Sequence, residues 1–424
     1  MWIAYELLFL IGFLLYLPGA LWRRRLPHRG WSMRLGRYPE AVTRALQGKR
    51  ALWVHAVSVG EVLAARPLLA ALVQATPEDP VVLSTITPTG FAMASQHVGG
   101  RGLAVYFPLD LRLCVRRALD AMHPRILLLM ESELWPTVIR LTRARGVPIA
   151  VVNGRISPNA FRRYRMVKPW LRGMLARVDL FLMQSPVDAE RILQLGANPT
   201  KVHVVGSLKW DASLGSRPTA EAIRQTAAHL NLDGTAWVIA AGSTHRGEET
   251  LVLKAVQALR ASRKEVRLII APRHLERLAE VEALSRQAGL TTVRLSRPAS
   301  GAWDVGLVDT FGQLSLYYGL ARLVFIGGSL IPHGGQNPLE ATSLGKPVVF
   351  GPSMYNFEAI AHQLLAHHAA RQAASADELV GLLQEIITSP NEAEAMGRRA
   401  QDVTERFQGA TQRTLEALKP LLEG

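Results

Sequence analysis

One cysteine, Cys114, stands in a chain of 424 residues. No intramolecular disulfide can form and no cysteine-based zinc site can be assembled, so Cys114 reads as a core thiol. D-x-D and H-E-x-x-H spacings are absent, and so are G-x-G-x-x-G and the Walker pattern. Each absence removes a familiar metal or nucleotide site. Low-complexity charge runs are also missing. With 49% hydrophobic and 20% charged residues, the chain is expected to fold, and its length exceeds what one core supports. The longest uncharged apolar stretch is only sixteen residues, 7–22, short of the ~20 that cross a bilayer.

That stretch, LLFLIGFLLYLPGALW, is followed at once by Arg23, Arg24 and Arg25. Residues 1–22 are expected to anchor the chain in a membrane, either spanning it with Glu6 at the far interface or lying partly within it. A cleaved signal would carry its positive charges first; charges that follow keep the downstream chain on the cytoplasmic side. Arg29, Arg34 and Arg37 with Trp22 and Trp31 extend a basic, aromatic zone suited to anionic headgroups, or a merely solvated linker. The net charge of +15 is concentrated here: residues 1–210 hold 28 Lys/Arg against 12 Asp/Glu, and the remainder 21 against 22. An anionic partner for the first half follows, whether nucleic acid, lipid surface or phosphorylated substrate.

From about residue 50, short β-branched runs alternate with helical stretches, the pattern of a parallel α/β fold. Strands are expected at 51–57, 81–85, 103–107, 126–130, 149–153, 180–184 and 203–206. After an irregular stretch at 206–234 the pattern restarts, at 236–242, 267–272, 305–309, 323–328 and 347–351. The restart marks two domains. Ligand-binding loops belong at the carboxyl ends of the strands, with a shared ligand in a cleft between the sheets.

Several polar groups stand at those ends. Glu61, just after Ala56-Val57-Ser58-Val59-Gly60, reads either as a general base or as a carboxylate complementing a helix N-terminus. AVSVG lacks the first glycine of a hydrolase elbow, which disfavours a serine nucleophile. Glu131 and Glu133 follow the fourth strand, and Lys209 follows the last strand of the first half, either meeting phosphate or solvated. Gly242 to Glu249 opens a helix after a strand, a geometry that suits phosphate. Arg273 adds a guanidinium. Gly327 to Glu340 is the densest cluster: Asn337 can cap a helix, Pro338 can occupy its first turn, and Glu340 can face ribose hydroxyls.

Taken together, HAVSVGE (55–61), TPTG (87–90), YFPLD (106–110), ESELWP (131–136), GSLKWD (206–211), AGSTHRGEE (241–249), APRH (271–274), GGSLIPHGGQNPLE (327–340) and GKPVVFGP (345–352) resemble the 3-deoxy-D-manno-octulosonic acid (Kdo) transferases nearly end to end. The resemblance implies a GT-B fold: two Rossmann-like, doubly wound domains facing across a cleft, with an N-terminal membrane-anchor helix. The expected parts are the anchor 1–22, an acceptor-binding domain 23–212 and a CMP-sugar-binding domain 213–424. It implies an inverting, metal-independent transfer of Kdo from CMP-Kdo to a lipid A precursor at the cytoplasmic side of the inner membrane, with no cofactor. Glu61 would then accept the proton, Glu131 and Lys209 would stabilise the transition state, and Pro272, Arg273, Phe311, Gly312, Gln313, Asn337, Pro338, Leu339 and Glu340 would contact CMP. Gln313, Gln336 and Gly154 depart from the family pattern, which has an acid, a histidine and an alanine there. Arg155, Arg162, Arg163 and Arg165 are candidates for acceptor phosphates by charge alone. A UDP-sugar enzyme of the same fold is one rival. A basic, membrane-associated nucleic-acid-binding protein is the other, though it leaves the clustered acids and glycines unexplained, and no nucleic-acid partner is expected.

Overall fold

The computed structural model describes residues 5–7, 9–15, 30–99, 102–215, 217–232, 236–262, 265–298 and 301–423. Two compact units emerge: the first comprises 1–212 with 408–424, the second 213–407.

In the first unit, seven parallel strands run β1 (Ala51–His55), β2 (Val81–Thr85), β3 (Gly102–Tyr106), β4 (Pro124–Met130), β5 (Ile149–Gly154), β6 (Leu180–Met183) and β7 (Val202–Val204), in sheet order β3-β2-β1-β4-β5-β6-β7. Both faces are covered, which is why β1 and β2 are buried at every position and read as unbroken apolar runs rather than alternating ones. Trp53 pairs in register with Val82 on one side and Leu127 on the other. Helices start cleanly after several strands because Thr87-Pro88, Ser157-Pro158 and Ser185-Pro186 each put a hydroxyl at the N-cap and a proline in the first turn. Strand order reverses between β1 and β4, so the loops leaving these two strands flank a switch point.

The second unit repeats the plan with β8 (Trp237–Thr244), β9 (Val266–Pro272), β10 (Thr292–Arg294), β11 (Val305–Leu307), β12 (Leu323–Ile326), β13 (Val348–Phe350) and β14 (Ala370–Gln372). The order is β10-β11-β9-β8-β12-β13-β14, again all parallel, with the reversal between β8 and β12.

Two expectations need correction. The C-terminal end does not stay with the second unit: the helix Ala410–Glu423 packs on the first, where Ala410, Leu418 and Leu422 join a core with Leu52, Val62 and Leu69. Asp211 fixes its start by accepting the N–H groups of Gly409 and Thr411 at 2.8 and 2.6 Å. The burial of that apolar face outweighs sequence adjacency. The anchor 1–22 falls partly outside the described residues, which omit 1–4, 8 and 16–29, including Arg23, Arg24, Arg25 and Arg29. Residues 5–7 and 9–15 are helical, but no helix among the described residues is long and apolar enough to cross a membrane. Glu6 does not stand at a far interface; it pairs with Arg140 at 3.1 Å, while the Tyr5 hydroxyl donates to Asp110 at 2.8 Å and its ring stacks on Trp170. Leu7, Leu10, Ile11, Leu14 and Leu15 remain exposed on this helix.

Candidate functional site

Glu61 lies three residues past the N-cap Ser58 of the helix Val59–Ala75, which leaves β1. Its carboxylate reaches back to accept the Val57 N–H and the Ser58 hydroxyl, both at 2.9 Å. Ser58 Oγ in turn accepts the Glu61 N–H at 3.4 Å. This reciprocal capping locks the side chain beside the switch point. Burial, then the charge of Glu131, pushes the Glu61 carboxyl up to about 7; the Val57 and Ser58 bonds oppose this and Glu133 adds to it. A half-buried carboxyl at that value is suited to take a proton near neutral pH.

Glu131 follows β4 with φ of 52°, the left-handed region that a side chain adopts only when its surroundings compel it. Lys209 Nζ lies 2.9 Å from its Oε1, with both side chains largely buried. Burial opposes ionisation, yet Lys209, with Arg155 and Gln184, holds the Glu131 carboxyl below the usual range. Lys209 is therefore neither a solvated surface residue nor free to meet a phosphate alone; its charge is already shared with Glu131. Glu133 accepts from Trp135 Nε1 at 2.9 Å, and burial raises its carboxyl. Glu61, Glu131 and Lys209 are thus assembled in one unit, from β1, β4 and the segment after β7.

Asn153 was not singled out by sequence. It is fully buried at the end of β5 with φ of 53°, and its Oδ1 accepts the Leu208 N–H at 3.0 Å and the Ser207 hydroxyl at 3.4 Å, which fixes the turn presenting Lys209. Gln184 donates to the Asn153 carbonyl at 2.8 Å and also supports Glu131. A polar residue at the end of an apolar strand was the available signal. Arg162, Arg163 and Arg165 are exposed on the helix Pro158–Met166.

In the second unit the remaining candidates stand at carboxyl ends of neighbouring strands. Pro272 ends β9, and the Arg273 N–H donates to the Thr244 carbonyl at 2.9 Å, tying the ends of β8 and β9 together. Phe311 is 76% exposed, Gly312 has φ of 79°, and Gln313 precedes the helix Leu314–Leu320. Gln313 Oε1 accepts the Thr310 hydroxyl at 2.8 Å, so the amide supplies an acceptor at the position where the resemblance leads one to expect an acid. Asn337 Oδ1 accepts the Leu339 N–H at 3.1 Å, Pro338 and Leu339 are buried, and burial raises the Glu340 carboxyl against the opposing bond from Asn337.

The phosphate cradle expected at Gly242 to Glu249 is filled from within. The fully buried Glu248 carboxylate accepts the N–H groups of His245, Gly328, Ser329 and Leu330 at 2.9, 2.6, 2.9 and 3.0 Å. The helix N-terminus and the glycine loop do attract an anion, but the chain supplies it. Gly328 is at φ of 68°, and a Cβ there would crowd the His245 ring, which explains glycine at that point.

Comparison with known proteins agrees with this architecture. Residues 29–212 match the family model for 3-deoxy-D-manno-octulosonic-acid transferase. The 3-deoxy-D-manno-octulosonic acid transferase of Haemophilus influenzae is 33% identical over 97% of this chain and 94% of its own. That of Bordetella pertussis is 37% identical over 88% of this chain and 87% of its own. A glycosyltransferase structure from Rickettsia africae covers 89% of this chain and 100% of its own, with a TM-score of 0.62 at 12% identity, a likeness of fold alone. With near full-length similarity at such identity, the chain belongs to the family of 3-deoxy-D-manno-octulosonic acid transferases.

Proposed function

We propose that this chain transfers Kdo from CMP-Kdo to a sugar hydroxyl of a lipid A precursor, lipid IVA, during lipopolysaccharide core biosynthesis, with inversion at the transferred carbon. The observation that carries the reading is the first unit's constellation: Glu61 tuned to about 7 beside a Glu131 whose charge Lys209 balances. Burial and Glu131 raise the Glu61 carboxyl while the Val57 and Ser58 bonds hold it down, and Glu61 sits between these limits.

The acceptor hydroxyl gives its proton to Glu61 as its oxygen bonds to the transferred carbon. The electron pair of the breaking bond leaves with the CMP phosphate, whose charge Arg273 offsets. Glu131 and Lys209 stabilise the transition state, and the loops of Pro272, Phe311 to Gln313 and Asn337 to Glu340 hold the nucleotide. Exposed Arg162, Arg163 and Arg165 supply cations for acceptor phosphates. The exposed leucines of the N-terminal helix lie in the interface of the inner membrane on its cytoplasmic side, an attachment that needs no crossing.

The test is CMP release from CMP-Kdo by purified protein with a tetraacyl lipid A precursor and EDTA, beside Glu61→Ala. Acceptor-dependent release that survives EDTA and collapses in the variant is expected. Turnover of a UDP-sugar in its place, or tight nucleic-acid binding without turnover, would sink the reading.

A further inference from the structure

Three imidazoles and a guanidinium gather where β8, β9 and β12 end. The His245 ring packs on that of His333 with centroids 3.9 Å apart, and meets His274 edge-on at 5.9 Å. Arg273 precedes His274, and the electrostatics of His245 register both it and Arg277. The acids nearby are already engaged. Glu248 is saturated by four backbone N–H groups. Glu249 takes Arg277 at 2.7 Å and the Thr244 hydroxyl at 3.0 Å, and Glu280 takes Arg277 and Arg246. Glu276 meets His274 at 3.5 Å, but both side chains are more than half exposed and the contact is weak. Among the described residues Arg273 has no carboxylate partner. Arg273 is therefore the guanidinium of this group whose charge no carboxylate takes up.

His245 records the crowding. Burial, then His333, His274, Arg273 and Arg277, lowers its pKa to about 4. Gln336 Nε2 lies 3.2 Å from His245 Nε2; an amide nitrogen only donates, so as assigned the imidazole proton sits on Nδ1. An anion arriving at Arg273 displaces no carboxylate, and ring N–H groups stand beside it as donors.

We propose that His245, His274 and His333, together with Arg273, form the subsite for the oxyanions that the donor carries at the carbon being transferred. Resting on the donor reading above, this deepens it. A CMP-linked ulosonic acid bears two such groups on that carbon, the sugar carboxylate and the phosphodiester, and no side chain has been assigned to the carboxylate. As the bond to phosphate breaks, its electron pair moves onto the phosphate oxygen, which the Arg273 guanidinium and the imidazole N–H groups can receive. The saturated Glu248 holds the loop that carries His333 and Gln336, so the subsite is formed before any ligand arrives.

The experiment uses the full chain with His333→Ala and His274→Ala, both exposed, and Arg246→Ala as a control whose charge is committed to Glu280. KM for CMP-Kdo and the inhibition constant of CMP are measured for each, with thermal melts confirming an intact fold. KM should rise about tenfold in both histidine variants and stay within about twofold in the control, about one charge-assisted contact each. A rise in KM with unchanged CMP inhibition identifies the carboxylate as the bound group; a parallel rise in both identifies the phosphate. Unchanged constants in the histidine variants, or an equal change in Arg246→Ala, would overturn the subsite. No CMP release from CMP-Kdo by the unaltered protein would defeat the donor reading itself, a separate failure.

Discussion

The Glu61 carboxylate accepts the Val57 N–H and the Ser58 hydroxyl, which favour its ionised form, while burial and Glu131 favour the neutral one. The cap, which the sequence presents as an alternative to a base, is formed, and it leaves the carboxyl near the value that the proposed base requires. Because the base works only when ionised and its pKa lies near 7, kcat/KM should fall roughly tenfold per pH unit below that point. Ser58→Ala removes a bond that stabilises the charge, so the acid limb should move up; Glu133→Gln removes a like charge, so it should move down. A limb near the ordinary carboxylate value in all three proteins would exclude Glu61 from the proton transfer. Glu61→Gln should lower kcat by about 10² to 10⁴ with little change in KM. Lys209→Ala poses a different question, since it strands a largely buried carboxylate. Chemical denaturation should show a loss of about 3 kcal/mol, partly recovered when Glu131→Gln is added. The residue types at these strand ends were legible from sequence, but their pairing was not: Lys209 and Glu131 meet only because β7 and β4 end at one edge of the sheet.

At the scale of elements, twelve strands were visible as apolar runs, most of them buried along their length. β10 and β14 were not foreseen. Each has three residues, and TVR and ARQ each carry two polar residues to one apolar because an edge strand has little to bury. The loop after β12 shows a deeper limit. Gly242 to Glu249 reads in sequence as a helix start suited to phosphate, whereas Glu248 itself takes the N–H groups of Gly328, Ser329 and Leu330, eighty or more residues on. Glu248→Ala should orphan four buried donors and cost at least about 3 kcal/mol, read as a lowered melting temperature of the second unit. An unshifted melt would mean that water replaces the carboxylate without penalty. The N-terminal helix offers a further element-level test. Replacing Leu7, Ile11 and Leu14 with serine should reduce partitioning onto anionic vesicles by tenfold or more, roughly, without loss of the Tyr5 to Asp110 contact. Equal partitioning would place membrane attachment elsewhere.

At the scale of the molecule, the basic excess of the first half belongs to the unit to which the lipid-linked acceptor is assigned, and the near-neutral second half to the nucleotide unit. The division at 212 was visible as a break in the strand pattern; the return at 408 was not, because a helix that changes partner keeps the same amphipathic pattern. Leu418 is fully buried in the first unit's core, so Leu418→Ala should cost about 2 to 5 kcal/mol there while leaving CMP binding by the second unit intact. Loss of CMP binding in that variant would show that the units do not fold independently. The returning helix also orders the birth of the protein. The first unit's apolar surface over Val62 and Leu69 has to wait on the ribosome while residues 213–407 are made, roughly 10 to 40 s at about 5–20 residues per second, before its own last helix emerges to cover it. During that interval the nascent chain exposes a ready-made hydrophobic groove, and a chaperone or the membrane surface itself is the natural place for it to shelter.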